Sequence, residues 1–346
     1  MGCGQVATGH PPMSDAGAST GGVIVAFGPS DSLVEAVTSL VGQVDVLVVV
    51  NNGAPAAVLA GVAALGARII GDGSNLGFGR ACNLGAAAVG AETVVFMNPD
   101  CVAQGGAVGA LCGALDDDVW ATTACVVHAS DPTVVNAAGV AVHVLGFAWA
   151  NGNGEPTTAH LVPRSVASVS GAAFAMRRAR FSQIGGFCEE IFLYHEDTEL
   201  SLRILGSGGR VLYVPDAVVH HDYAFASNPG TLGYLERHRA WLVLTHMPGR
   251  TLLRILPFLV VAEAMVTALA VKQGWLPAKC RGWLWTLRRA RRIVARRREL
   301  RAAGMVVGPS AIKLLATRWD ADQVVVPAQL APLVRLFEGA IEFALR

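Results

Sequence analysis

Four short apolar runs, each closed by a turn, constrain this chain more than any other feature. Val23–Phe27 ends at Gly28-Pro29-Ser30, and Asp45–Val50 at Asn51-Asn52-Gly53. Ala67–Ile70 ends at Gly71-Asp72-Gly73, and Thr93–Met97 at Asn98-Pro99-Asp100. Valine and isoleucine favour strands, while Gly, Asn and Pro turn a chain sharply. Between the runs, Asp31–Val41, Val58–Leu65 and Asn83–Val89 carry helical spacing. Strand alternating with helix predicts a doubly wound α/β layer. Ligands of such sheets sit beyond the carboxyl ends of the strands. Phe27, Asn51, the segment Ser74–Asn83 and Asp100 are therefore predicted to share one edge.

Further along, Val119–Ala150 is β-rich and irregular. Ala172–Arg180 reads as a strand entering a turn, Thr198–Leu205 as a helix, and Arg210–Val214 as a strand stopping before Pro215. Composition changes after about His246. Ile255–Val271 is apolar apart from Glu263, with Pro257 near its start. At about 1.5 Å per residue it would reach roughly 26 Å, short of a hydrocarbon layer of roughly 30 Å. A core helix, a re-entrant segment and an in-plane membrane helix all fit. Arg281–Arg301 comes next as a predicted basic helix, with Trp283, Leu287, Ala290 and Val294 on one stripe and Arg288, Arg289, Arg291, Arg292, Arg296, Arg297, Arg298 and Arg301 around it. A basic amphipathic helix beside an apolar one suggests an anionic lipid surface or a lipid diphosphate; a solvated helix face is the plainer reading. Ser310–Arg346 shows helical patterning without nameable chemistry.

The charge distribution agrees. Residues 1–246 hold 10 Lys+Arg against 20 Asp+Glu, whereas residues 247–346 hold 17 against 6. An acidic front and a basic rear suggest two tasks, the rear facing an anionic surface. With 53% hydrophobic and 15% charged residues, the chain is neither disordered nor a nucleic-acid coat. No base-reading motif accompanies the arginines, so nucleic acid is not an expected partner. Seven scattered cysteines without a Cys-x-x-Cys pair predict no disulfide framework and a reducing cytoplasm. Met1–Thr20 is small and polar, and reads as a loose tail rather than a secretory signal.

Three motifs carry chemistry. Ser74–Gly85 is a Gly-rich strand-to-helix connection whose backbone can approach a phosphate, with Asn75 and Asn83 as polar contacts and Arg80 for a diphosphate. Its spacing is neither the dinucleotide fingerprint nor a Walker loop. Asn98-Pro99-Asp100 ends a strand, where a carboxylate suits either a divalent cation or an Asx turn. His220-His221 becomes a plausible second metal contact only in company with Asp100. Phe192–Arg203 crowds Glu196, Asp197 and Glu199 at the start of a helix, a costly arrangement unless a dipole, a metal or a substrate hydroxyl offsets it.

Taken in order, VIVAFGPSDSL, VLVVVNN, NLGFGRACNLGA, FMNPD, VVNAAGVAVHVLGFAWANGNGEP, SGAAFAMRRARFSQIGGFCEEIFLYHEDTELSLRI and VLYVPDAVVHH resemble the inverting glycosyltransferases of family 2, most closely their bacterial rhamnosyltransferase-like branch. The resemblance runs from about Gly22 to His221. It implies a GT-A-type nucleotide-binding domain with a mixed central sheet at 21–246, after a tail at 1–20. A helical, basic, membrane-associating region is expected at 247–346. By resemblance, Phe27 stacks on the nucleotide base and Asn51 stands where an aspartate contacts it. Asn75, Gly77, Arg80 and Asn83 line the nucleotide, and Asp100 binds Mg²⁺ or Mn²⁺ with His220 or His221. Ser170 and Gly171 floor the sugar and acceptor site. Asp197 is the general base and Glu196 orients the acceptor.

The same resemblance implies sugar transfer from a nucleotide-diphosphate donor, dTDP-L-rhamnose being the expected one. The acceptor is a cell-envelope glycan or a polyprenyl-diphosphate-linked one, met at the inner face of the plasma membrane by a cytoplasmic, peripheral enzyme. Three departures stand out: Asn51 for aspartate, Gly28 for asparagine, and Cys188 for the aspartate ahead of the base, with Glu189 and Glu190 nearby. They motivate an alternative, a nucleotide-sugar-binding scaffold without turnover. An NAD-dependent oxidoreductase is disfavoured because no Gly-x-Gly-x-x-Gly succeeds the first strand.

Overall fold

The computed structural model describes residues 20–29, 32–222, 229–320 and 331–346. All of the predicted tail but Thr20 lies outside the described residues. β1 (Thr20–Ala26), α1 (Ser32–Leu40), β2 (Val46–Asn51), α2 (Ala56–Ala64), β3 (Arg68–Ile70), α3 (Phe78–Val89) and β4 (Thr93–Met97) alternate as the sequence predicts. β1 pairs in parallel with both β2 and β4, and β2 with β3. Strand order is therefore 3-2-1-4, reversing between β1 and β4, where doubly wound sheets bind ligands. The runs are apolar throughout because both sheet faces are covered. Val23, Val25 and Phe96 enter one core, while Ile24, Val49 and Met97 enter the other.

Next in the chain are β5 (Cys101–Ala103), α4 (Ala107–Gly113), β6 (Val119–His128), β7 (Asp131–Ala138), β8 (Val140–Val142), β9 (Ala148–Ala150), β10 (Arg164–Ser165) and β11 (Ala173–Arg177). Then come α5 (Arg178–Gln183), α6 (Glu196–Gly206) and β12 (Arg210–His221). β11 lies antiparallel between β4 and β6, and β12 runs parallel to β6, completing a mixed sheet of ten strands. Register brings distant segments to one edge. Ala173 faces Met97, so Gly171 and Ser170 reach the carboxyl end of β4. His221, ending β12, lies opposite Cys101 of β5.

In the sheet half, β12 and α3 differ from the sequence reading. β12 continues through Pro215, because its register slips between Val214 and Val218 and the bulge removes the need for a proline N–H. α3 begins at Phe78 rather than Asn83, its first turn held by Phe78 N–H donating to the Phe192 carbonyl at 3.1 Å.

The rear consists of α7 (Pro229–His246), α8 (Gly249–Lys272), α9 (Leu276–Arg288), α10 (Ala290–Ala302), α11 (Pro309–Ile312) and α12 (Ala331–Leu345). α7 packs on α9 and α10, and α8 on α9 and α12. The predicted single helix Arg281–Arg301 is in fact two, interrupted at Arg289 (φ −101°, ψ 10°). α8 is also longer than the predicted Ile255–Val271. Its 24 residues, about 36 Å at 1.5 Å each, suffice to cross a hydrocarbon layer by length and composition. Glu263 turns inward to Arg239 and Lys279, while Leu253, Leu256, Val260, Met265 and Leu269 remain exposed. The six cysteines among the described residues are free.

Candidate active site

The acidic cluster begins α6 after a strained turn. Tyr194 (φ 64°) and His195 (φ 69°) both adopt the left-handed conformation that side chains usually avoid. Buried His238 of α7 holds the turn, its Nδ1–H 3.0 Å from the carbonyls of both Leu193 and Tyr194. Asp197 accepts from Gly171 N–H at 3.0 Å on one oxygen and from Thr198 N–H at 2.7 Å on the other. A Cβ at Gly171 would stand 3.4 Å from that carboxylate, so glycine keeps the approach open. Ala172 in turn accepts from Asn98 N–H at 2.9 Å. Asp197 is thereby tied, through Gly171 and Ala172, to the loop carrying Asp100.

The two neighbouring acids differ in support. Burial, then the charge of Asp197, pushes the Glu196 pKa up. Burial raises Asp197 also, but its hydrogen bonds oppose the shift. Glu196 is buried, and its Oε2 has no hydrogen-bond partner. Asp197 is less buried and better solvated by donors. The pair is set to ionise at Asp197 first, leaving the proton on Glu196. Glu196 packs beside Gly79 of α3, under the Gly-rich loop rather than in open space.

Asp100 Oδ1 lies 3.3 Å from His221 Nε2. The other ring nitrogen, Nδ1, is 3.0 Å from Asn136 Oδ1, which can only accept and so fixes the proton there. Asp100 Oδ1 is buried without a hydrogen-bond donor. One ligand atom each from Asp100, Cys101 and His221 falls within 4.8 Å of the others. Strand alternation turns His220 to the opposite face of β12, so of the two histidines it is His221 that meets Asp100.

The residues expected to line the nucleotide largely brace one another. Exposed Phe27 lies beside Gly53, at the edge. Asn51 Oδ1 accepts from the N–H groups of Gly53 and Ala54. Asn75 Oδ1 accepts from Gly77 N–H and from the side chain of Asn52. At Gly77 (φ 81°) a Cβ would come within 2.3 Å of the Phe192 carbonyl, so only glycine lets the loop close on that segment. Arg80 reaches Glu189 at 3.5 Å. Asn83, expected to line the nucleotide, grips the Phe187 backbone with both amide groups. The fold brings Phe187 over α3 and so supplies that partner. Buried Ser170 receives its backbone support from Thr123 Oγ1.

Sequence reasoning missed Asn52, Asn136, His238 and the pairing of Glu199 with Arg203, His246 and Arg296. Asn52, the second Asn of the Asn-Asn-Gly turn, was visible there. Asn136, His238, His246 and Arg296 were not, since their partners are remote in sequence, whereas Arg203 stands one helical turn from Glu199. Glu199 is fully buried, bound by Arg203 at 2.5 Å and 3.3 Å from both His246 Nε2 and Arg296. Burial alone would raise its pKa, but Arg203, His246 and Arg296 hold it well below the usual carboxylate range. Arg296, predicted to face lipid, is thus turned into the protein.

The open mixed sheet, with Asp100 and His221 toward its ligand edge, has the GT-A fold of glycosyltransferases. The chain belongs to glycosyltransferase family 2: a family model described as "Glycosyltransferase like family 2" matches residues 20–243. Among solved structures, GalNAc-T7 with UDP, GalNAc and Mn²⁺ is similar at TM-score 0.54 and 16% identity, covering 66% of this chain and 49% of that one. S. aureus TarS is similar at TM-score 0.53 and 15% identity, covering 94% and 54%. In sequence, an N-acetylglucosaminyl-diphospho-decaprenol L-rhamnosyltransferase of Mycobacterium tuberculosis is 37% identical over 75 residues. That stretch spans 22% of this chain and 24% of the relative.

Proposed function

We propose that this glycosyltransferase moves L-rhamnose from dTDP-rhamnose to a polyprenyl-diphosphate-linked glycan of the cell envelope, by one inverting displacement that requires Mg²⁺ or Mn²⁺. The reaction takes place at the cytoplasmic face of the membrane. One observation carries the reading: Asp197 is joined through Gly171, Ala172 and Asn98 to the loop bearing Asp100 and its partner His221. The local likeness to a rhamnosyltransferase of diphospho-decaprenol supports the sugar and the acceptor class.

The donor set fits a divalent ion. A buried carboxylate oxygen without a donor faces an imidazole nitrogen whose ring is oriented by Asn136. Oxygen and nitrogen suit Mg²⁺ or Mn²⁺, whereas the Cys101 sulfur is a softer donor. Asp100 and His221 would hold the ion, which when bound neutralises charge on the departing diphosphate. Asp197 Oδ2, oriented by Gly171 N–H, takes the proton of the acceptor hydroxyl as that oxygen attacks the anomeric carbon. Glu196 keeps its proton beneath the Gly-rich loop, which avoids a second negative charge beside the base.

A screen of nucleotide sugars with Mn²⁺ and a polyprenyl-diphospho-N-acetylglucosamine acceptor, reading released nucleotide, tests the proposal. Turnover with dTDP-rhamnose is expected. Binding of donors without turnover would instead favour the inactive scaffold.

A further inference from the structure

We propose that α7, α8 and α9 form the acceptor's lipid-diphosphate site, with Arg237 and Arg289 on the diphosphate and the groove between the helices on the prenyl chain. This rests on, and deepens, the transferase reading above. The groove, about 840 Å³, lies within the roughly 300–1,000 Å³ of ligand pockets. Val243, Leu259, Val260, Ala264, Trp283 and Leu287 supply its apolar wall. Charged groups bordering the groove are already matched: Arg239 with Glu236 and Glu263, and Lys279 with the same two acids. A hydrocarbon can therefore lie there without stranding a charge.

At one end the groove meets a smaller basic cavity of about 390 Å³, with Arg237 and Gly282 bordering both. Here the arginines are not matched. Arg239, Arg292 and Arg296 all contact carboxylates, yet no carboxylate among the described residues pairs with Arg237 or Arg289. The two guanidinium groups instead share the Trp285 ring, at 5.0 and 4.4 Å from its centroid, and Arg237 also covers Tyr234 at 4.4 Å. Burial, reinforced by Arg289, holds the Arg237 pKa below its ordinary value. Two cations on one aromatic ring, beside an apolar groove, match an anion with an apolar tail. Charge complementarity and the groove select a prenyl diphosphate over a bulk headgroup.

The anchor is also joined to the catalytic side. Arg237 Nε–H donates to His238 Nε2 at 2.9 Å, and His238 holds the strained Leu193–Tyr194 turn that launches α6. Tyr234 stacks on Phe192 with centroids 5.7 Å apart, and the Phe192 carbonyl receives the Phe78 N–H of the nucleotide loop. Two aromatic residues, Tyr234 and Phe192, thus lie between the diphosphate anchor and the donor loop.

Farnesyl diphosphate is the probe, titrated calorimetrically into the full chain in a neutral detergent, with no nucleotide sugar present. Saturable binding is expected, with farnesol and inorganic pyrophosphate each at least about tenfold weaker. Arg289→Gln should weaken farnesyl diphosphate about tenfold, as should Val260→Asp on the groove wall; both positions are exposed, so circular dichroism should be unchanged. Binding of farnesyl diphosphate by both variants as by the parent would overturn the proposal. So would pyrophosphate binding as tightly as the prenyl compound, which marks a free-phosphate site. Phosphatidylglycerol vesicles competing equally for the parent would likewise overturn it and assign the arginines to bulk lipid. Because no donor enters the assay, a failed donor screen leaves this result intact. Transfer to a soluble acceptor without farnesyl diphosphate binding removes the anchor and spares the transferase.

Discussion

Asp197 and Glu199 belong to one helical turn, yet they face two different regions of the molecule. Asp197 looks to the ligand edge of the sheet, where N–H and hydroxyl groups of Gly171 and Thr198 are its donors. Glu199 looks to the seam between α6 and the rear helices, where Arg203, Arg296 and His246 surround it. The difference teaches how to tell an acid free to take a proton from one committed to ion pairs. A carboxylate saturated by cations has lost its affinity for a proton, whereas one oriented by neutral donors keeps it. The same division splits the arginines of α10: Arg296 is inside the seam, while Arg298 is exposed.

Removing the proposed base should give the largest effect. Asp197→Asn should slow nucleotide release during transfer by about 10²–10⁴-fold, the usual share of a general base, while donor binding persists. Near-parental turnover would erase the distinction drawn between the two acids. Glu199→Gln should instead lower stability in urea unfolding by about 3–5 kcal/mol, because it leaves buried Arg203 without its counter-charge. An unchanged unfolding midpoint would mean that the seam is not structural.

Asn136→Ala sharpens the contrast from the ligand edge. Loss of the ring's orienting partner should weaken Mn²⁺ affinity of the apo-protein, or Mn²⁺ stimulation of turnover, by about 10–100-fold. Equal Mn²⁺ response would separate His221 from the metal.

The pH dependence has opposite signs in the two regions. Glu199 has a depressed folded pKa, so its stabilisation is present above the ordinary carboxylate range and is lost as pH falls through the folded value. The deficit of Glu199→Gln should therefore shrink in acid. Glu196 has a raised folded pKa, so its contribution is present below the ordinary range and is lost as pH rises through the folded value. Glu196→Gln should gain stability over the parent as pH rises from the ordinary carboxylate range. Urea curves across a pH series read both, and parallel pH profiles for all three proteins would contradict the assignment. The smallest effect concerns the outward arginine. Arg298→Gln should weaken sedimentation with anionic vesicles about fivefold, near 1 kcal/mol per basic residue at such a surface. No change would place α10 away from lipid.

Much of the sheet half was legible in the chain. β1 to β4, their turns and the edge shared by Phe27, Asn51 and Asp100 come from local apolar runs and from the direction of parallel strands. Glu196 and Asp197 were legible as a crowded pair. The rear was less so. A basic stripe from Arg281 to Arg301 read as one surface, but Arg289 breaks it, and Arg292 and Arg296 reach Glu190 and Glu199 across a long sequence gap. Composition counts those charges; it does not pair them.

The sequence by itself determined the alternating sheet, the glycine-rich loop and the residue types of the site, since each depends on neighbours within a few positions. Tertiary structure alone decided that His221 rather than His220 meets Asp100, that Asn83 clamps Phe187, and that Glu199 is neutralised while Asp197 is not. Those outcomes depend on strand register and on helices returning from far along the chain, where a shift of one residue turns a side chain to the other face.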